Sequence, residues 1–431
     1  MTAPPRSRSL RLAYGSTGLD IAIPADATVV MPAHRPAVPD EVAAVRAAIA
    51  APVAGRPLRD LVERGARVAI SVCDATRPQP RQPMLAAIAE VLDGIVRPED
   101  VVILIATGTH DVSTDEQRRE MLGDDVLRRW RVVDHNARDA ASLRAVGTID
   151  GVPVLLNREW VEADVRITTG FVEPHFFAGF SGGPKMVAPG LAGLDTVLEL
   201  HSPARIADPR ATFAVVEGNP VHDAVRSIAA ATGVTFAVDV LIDDRHRITH
   251  AFGGPVLEMH AVACRTARAV AMQPVVGPFD IVVTTNSGYP LDRNLYQSVK
   301  GMAAAATVVA EGGTIICAAE CRDGLPNDGP YARLLREASS IEGAARQLVE
   351  AGHTIPDGWQ VQVQARVQAR ARVLLFSRLT ASAVRSAHLE PIDDVTATLA
   401  GLLRQRPDAR VCVMPEGPQT IPFLSERAGQ A

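Results

Sequence analysis

Lysine occurs at two positions in 431 residues, Lys185 and Lys300, against 42 arginines. In such a background a surface cation can drift to Arg without cost. An amine that must lose a proton, attack as a nucleophile or form an amide cannot, because guanidinium stays protonated. Survival of two ordinary packed or phosphate-facing lysines by chance is the bland alternative. Both, however, sit in chemically loaded stretches. Lys185 closes "EPHFFAGFSGGPK", where closely spaced glycines, Gly182 and Gly183 among them, let backbone amides approach an anion. His175 precedes it, and His201 follows in "LELHSPARI". The segment lacks the GxxxxGK[ST] frame of a P-loop, so a plain glycine-rich turn is an equal reading. Lys300 lies in "NLYQSVKG", three residues after Gln297, and on a helix that spacing puts amide and amine on one face.

Two further polar clusters carry candidate chemistry: "CDATRPQP", with Asp74 and Arg77, and "ATGTH", ending in His110. Of eleven histidines, most, such as His34, His246 and His388, read as surface or structural residues. His110 and His175 each end a buried-strand pattern, and His201 follows an apolar, helix-like stretch into a loop. Imidazoles in such places suit proton transfer near neutral pH or metal ligation. No HExxH spacing occurs, so a metal here would draw donors from outside the protein's ordinary repertoire. Cys73 reads as a core residue.

The elements that must position these residues follow from hydrophobic patterning. "RVAISVCDAT", "DVVILIATGTH", "LRRWRVVDHNA" and "ADVRITTGFVEPH" are short apolar runs of strand length, and "QPMLAAIAEVLDGI" has helical spacing. Strands alternating with helices predict parallel pairing, with ligands gathered beyond the carboxyl ends of the strands. Asp74, Arg77, His110, His175 and Lys185 are all expected there, facing one pocket. "MQPVVGP", near residue 272, marks a boundary, after which "FDIVVTTNSGYP" opens a second α/β unit and "NLYQSVKGMAAAATVV" predicts a helix. "GGTIICAAECRDG" predicts another buried strand, and "VQVQARVQARARVLLF" alternates in a way that predicts a strand with one exposed face. The expected organisation is α/β: two domains with largely parallel sheets and the active site in the cleft between them. The first spans 1–272, with 416–431 packing back onto it, and the second spans 273–415.

Composition limits the function classes. A hydrophobic content of 47%, a charged content of 22% and a net charge of −5 describe a globular chain with no electrostatic case for nucleic acid or an anionic membrane. Five cysteines without a CxxC pair predict a reduced compartment. The absence of a signal-peptide-like stretch or of an 18-residue apolar run makes the expected location cytoplasmic.

"SVCDATRPQP", "ATGTHDVSTDEQ", "EPHFFAGFSGGPKMVAPGLA", "LELHSPARI", "GNPVHDA", "SGYPLDRNLYQSVKG" and "CRDG" occur in the order and approximate spacing of the nickel-pincer lactate racemase family. The chain resembles that family over nearly its whole length. The resemblance implies two α/β domains and a cofactor in which a nicotinate-derived mononucleotide, bearing a thioamide and a thiocarboxylate, holds Ni(II) in a pincer. It further implies that Lys185 is the covalent anchor through the thioamide and that His201 is the protein ligand to nickel. His110 and His175 resemble the two acid/base residues. Asp74 and Arg77 resemble polar residues beside cofactor and substrate, and Gly182 and Gly183 resemble the cradle of the cofactor phosphate. Gln297 and Lys300, with Tyr296 adjacent, resemble the grip on the substrate carboxylate.

The implied reaction is racemisation or epimerisation of a small 2-hydroxy acid by proton-coupled hydride transfer through a 2-keto acid. The implied partners are that substrate and the proteins that make and load the cofactor, and self-association is left open. One position departs from the pattern: many relatives carry Arg before the anchor, where this chain has Pro184. Two other function classes remain as alternatives. A dehydrogenase using a diffusible nicotinamide would need a GxGxxG after the first strand, which is missing. A non-catalytic hydroxy-acid binder would not need both histidines.

Overall fold

The computed structural model describes residues 7–33, 35–325 and 329–425. The chain forms two compact units, one of Met1–Ala33, Ser202–Ala207 and Ala269–Ala431, the other of His34–His201 and Asp208–Arg268. His34 lies outside the described residues.

The His34–His201/Asp208–Arg268 unit is built on a six-stranded sheet. Its order is Ile248–Gly254, Phe236–Ile242, Val165–Phe171, Val68–Cys73, Val101–Ala106, Arg131–Asp134. All neighbours pair in parallel except the first two. All six residues of Val68–Cys73 are buried, as a parallel strand covered on both faces requires, so its pattern is a continuous apolar run. Ile70, Ile103, Ile167 and Val238 from four strands pack with Leu85 and Ile88 of the helix Arg81–Leu92 in one core. From Val68–Cys73 the chain lays down strands on one side, then returns to the other side with Val165–Phe171. The switch in direction therefore falls between these two strands, where open α/β sheets form ligand crevices at the carboxyl ends.

The second unit has its own six-stranded, all-parallel sheet. The order is Glu390–Ile392, Ala371–Phe376, Val309–Ala318, Phe279–Thr285, Val411–Met414, Thr28–Val29. The predicted helix is present as Leu295–Ala306. Asn294 caps it by accepting from the Gln297 amide at 3.0 Å.

Three expectations are corrected. Residues 7–33 fold with the C-terminal unit, because Thr28–Val29 completes the edge of its sheet beside Val411–Met414. The tail does not return to the first domain: Ile421–Leu424 pairs in parallel with Met272–Val275 in the same unit, and residues 426–431 lie outside the described residues. The alternating segment is the helix Gly358–Arg370, with the strand starting only at Ala371. Alternation misleads there because Gln360 and Gln364 are fully buried: Gln364 accepts from the Tyr331 hydroxyl at 2.6 Å and donates to the Ala387 carbonyl at 2.7 Å.

All five cysteines are buried and unbridged. Among the described residues no helix is long and apolar enough to cross a membrane.

Candidate active site

Asp74 and His110 leave adjacent parallel strands whose ends are in register, Cys73 opposite Ala106. Their loops therefore run side by side, and His110 Nδ1 meets Asp74 Oδ2 at 2.6 Å. Burial works to raise the Asp74 carboxyl. The hydrogen bond and charge of His110, with Arg77 and the Thr76 hydroxyl, outweigh it and hold the carboxyl at about 2. Asp74 is thus an ionised acceptor, so the His110 ring donates from Nδ1 and carries its lone pair on Nε2, the tautomer of a general base.

The loop bearing Asp74 is clamped from below by Arg81. Its buried guanidinium donates to the carbonyls of Cys73 (2.8 Å), Gln79 (3.1 Å), Arg77 (2.9 Å) and Asp74. Arg77 is held in the same turn, its amide donating to Asp74 O at 3.1 Å and its guanidinium to Thr76 Oγ1 at 3.1 Å.

Beyond Val165–Phe171 the chain makes a miniature hairpin, Pro174–His175 against Gly179–Phe180, and then the one-turn helix Gly183–Met186 that carries Lys185. This turn is fastened to the central strand: Ser71 Oγ donates to Met186 O at 2.9 Å, and Cys73 Sγ touches Met186 Sδ at 3.6 Å. The Gly108 amide also donates to Gly190 O at 3.0 Å, which ties the His110 loop to the segment after Lys185. Phe177 forms the hub. Lys185 Nζ lies 5.9 Å from its ring centroid, the His175 ring 4.5 Å and the His201 ring 5.3 Å.

The other two imidazoles are set differently from His110. His175 Nδ1 accepts from the backbone amides of Ala178 (3.2 Å) and Phe177 (3.5 Å), which puts the proton of the neutral ring on Nε2. His201 ends the helix Leu194–Leu200 and donates from Nδ1 to Val197 O at 2.7 Å. Burial pushes His201 down to about 4; the Lys185 charge adds to that, and the bond to Val197 opposes it. His201 is therefore a neutral imidazole with its lone pair on Nε2, the form in which histidine binds a metal, its other nitrogen oriented by a carbonyl.

Beneath the lysine turn lies a buried polar layer. Asp239, His260 and His222 project from the strand Phe236–Ile242 and the helices Val256–Ala271 and Pro220–Thr232. His260 Nε2 contacts Ser181 O at 2.8 Å, His222 Nδ1 contacts Ala178 O at 3.0 Å, and the two rings stack at 5.6 Å. Asp239 Oδ2 accepts from the Gly183 amide at 2.7 Å. The Gly183 amide, which the resemblance assigns to a phosphate cradle, is taken here by an internal carboxylate.

In the other unit, Lys300 Nζ donates to Gln297 Oε1 at 2.7 Å, as their spacing on one helix face predicts. Tyr296 lies beside them. Its hydroxyl accepts from Trp359 Nε1 at 3.0 Å and its carbonyl from Gln360.

The predicted residues thus form three clusters: Asp74, Arg77 and His110; His175, Lys185 and His201 around Phe177; and Tyr296, Gln297 and Lys300. Phe177, Arg81 and Asp239 escaped prediction. Phe177 had a visible signal in the FF pair between His175 and the glycines, whereas Asp239 is a single acid in a buried strand and Arg81 one arginine of 42.

Residues 14–214 match the model of the lactate racemase N-terminal domain, and residues 276–421 that of the lactate racemase C-terminal domain. A lactate racemase from Thermoanaerobacterium thermosaccharolyticum is 33% identical over 384 residues, 88% of this chain and 89% of that protein. The chain belongs to the lactate racemase family. It is accordingly related to isomerases. A lactate racemase from Lactiplantibacillus plantarum is 32% identical over 85% of this chain and 87% of its own length. The apoprotein structure of the Thermoanaerobacterium thermosaccharolyticum lactate racemase superposes with a TM-score of 0.89 at 30% identity, covering 96% of this chain and 100% of that one. A Thermotoga maritima protein shares the fold, with a TM-score of 0.65 at 17% identity over 84% of this chain and 95% of its own.

Proposed function

We propose that this chain racemises lactate, or racemises or epimerises a related larger 2-hydroxy acid, using a nickel-pincer nucleotide bound covalently to Lys185. The reading is carried by one arrangement: three differently set imidazoles stand in the same unit as one of the two amines of an otherwise lysine-free chain. The residues fit the cofactor chemically. Lys185 supplies the amine that an amide-type linkage requires, and His201 supplies a neutral nitrogen donor, its metal-binding tautomer fixed by Val197. When bound, the group supplies a reversible acceptor for the α hydrogen of the substrate as hydride.

The protein's own residues do the rest. His110 accepts the substrate hydroxyl proton on Nε2, and ionised Asp74 stabilises the imidazolium that results. His175 serves as the acid when its ring enters the turnover protonated: the Nε2 proton passes to oxygen for the opposite configuration and the ring is left neutral. His110 gains one proton as His175 loses one, exchange with solvent resets both rings, and the hydride that leaves the α carbon returns to it, so no diffusible oxidant is consumed. Lys300 and Gln297 hold the carboxylate by charge-assisted hydrogen bonds while the flattened α carbon turns.

The test is intact-protein mass spectrometry with nickel analysis on protein co-expressed with cofactor-loading proteins, followed by a chiral assay on D- and L-lactate. A mass increment on the Lys185 peptide with about one nickel per chain, together with interconversion of the enantiomers, is expected. An unmodified, nickel-free chain under conditions that load a known lactate racemase would overturn the reading.

A further inference from the structure

The strand Phe236–Ile242 reads FAVDVLI, and its single charged residue lies in mid-sheet, with Phe252 and Gly170 as its neighbours in register. Asp239 has no exposed surface. Burial pushes its carboxyl up to about 7, against the pull of the Gly183 amide, so the fold carries a real cost at this position. Such a cost calls for a specific gain, and the surroundings indicate what it is. Asp239 Oδ2 accepts the Gly183 amide at 2.7 Å, whereas Oδ1 meets no donor among the described residues.

The backbone is moulded to that carboxylate. Gly182 and Gly183 both adopt positive φ, +74° and +48°. A Cβ on Gly182 would come within 2.7 Å of Asp239 Oδ2, and one on Gly170 within 2.9 Å of Oδ1. His260 fastens the preceding residue through Ser181 O at 2.8 Å. The turn so held closes on the Lys185 amide, which donates to Gly182 O at 3.1 Å.

We propose that Asp239 is the positioning residue of the lysine turn: its carboxylate occupies the anion-binding amide of the glycine pair and thereby sets the conformation in which Lys185 is presented for covalent loading. The proposal rests on the reading that Lys185 carries the cofactor, yet the clamp itself is measurable without cofactor. Its essential property is an acceptor at the Gly183 amide. Asn in place of Asp keeps that acceptor, and Ala removes it.

Wild type, Asp239→Asn and Asp239→Ala are compared as apoproteins in two ways. The first is backbone hydrogen exchange over residues 182–186. The second is acylation of the amines by acetic anhydride, read as the ratio of modified Lys185 to modified Lys300 after proteolysis. With only two lysines, Lys300 serves as the reference within each sample. Asp239→Ala is expected to accelerate exchange in the turn about tenfold, as loss of one buried hydrogen bond allows, and to shift the acylation ratio by a comparable factor. Asp239→Asn is expected to stay within about twofold of wild type. Wild-type behaviour of Asp239→Ala would overturn the proposal, as would an Asn variant as disturbed as the Ala variant. Should Asp239→Ala fail to fold, Asp239→Val, which also lacks the acceptor, replaces it under the same criteria. Co-expression with loading proteins separates the two ideas. A clamp that responds as expected in a chain that never gains mass at Lys185 refutes the cofactor reading alone, whereas a loaded wild type with an unresponsive turn refutes the clamp alone.

Discussion

His260 makes the Lys185-bearing unit acid-sensitive, by an amount that follows from its burial. Its ring is closed in by Ser181 O on one nitrogen and by the Cys264 thiol at 3.5–3.7 Å, and it stacks on His222. Burial pushes it down to about 3, helped by the His222 charge and opposed by the bond to Ser181. In the unfolded chain the same imidazole titrates near 6.5. A ring that takes a proton only when unfolded leaves stability untouched above about pH 6.5. As pH falls below that value the unfolded state is favoured, and the penalty grows until the folded ring titrates as well. At pH 5 the single-site linkage amounts to about 2 kcal/mol relative to pH 7.5.

His260→Gln tests this, since a glutamine amide can still donate to Ser181 O but binds no proton. Urea unfolding of the apoprotein is followed by tryptophan fluorescence in a Trp359→Phe background, which leaves Trp130 and Trp160, both in the unit of His260, as reporters. The drop in unfolding free energy between pH 7.5 and pH 5 should be smaller in the variant by about 2 kcal/mol. His222 is also held neutral at pH 5, so its own contribution persists in both proteins. Equal pH sensitivity of the two proteins would refute the picture of a buried neutral ring.

Lys185→Arg should abolish the covalent increment, because guanidinium cannot form the amide; an increment retained at residue 185 in the mass spectrum would contradict the anchor role. Asp74→Asn should lower kcat about 100- to 10,000-fold with little change in KM, since His110 loses the charge that stabilises its protonated form; a kcat within a few-fold of wild type would remove Asp74 from the proton-transfer scheme. Lys300→Met should raise KM for the hydroxy acid about 10- to 100-fold, measured in steady-state racemisation of the loaded enzyme. Arg81→Met takes the guanidinium away from four carbonyls, of which Asp74 O and Gln79 O keep a backbone amide donor, and should cost about 3 kcal/mol in urea unfolding, with Arg81→Lys recovering only part of that loss.

The chemistry-bearing residues were legible largely because each follows an apolar run that ends abruptly. Asp74 and His110 each stand just beyond a strand with no exposed residue in its middle, and Gln297 and Lys300 share a helix face by simple periodicity. That Asp74 would orient His110 was not legible, because the pairing depends on the strands being neighbours in register, a property of the sheet and not of either segment. The helix Gly358–Arg370 was misread for a related reason. Alternation of Val with Gln implies a half-exposed strand only if the glutamines face water, and here the buried Gln360 and Gln364 donate to the carbonyls of Tyr296 and Ala387. Asp239 left no trace in the sequence, since one acid in a buried strand acquires meaning only from the glycine turn folded over it. Domain boundaries suffered most, because residues far apart in the chain complete the same sheet.

That last feature bears on how the protein is made. Thr28–Val29 leaves the ribosome long before its pairing partner Val411–Met414. Synthesis from the N-terminus therefore cannot complete the second unit's sheet until Val411–Met414 has emerged, while the sheet of the Lys185 unit, with its strands between residues 68 and 254, has all its pieces much earlier. A nascent chain would thus pass through a stage with one finished globule and a waiting amino-terminal arm. Expression fragments cut at the apparent boundary near residue 272 would strand that arm without its sheet.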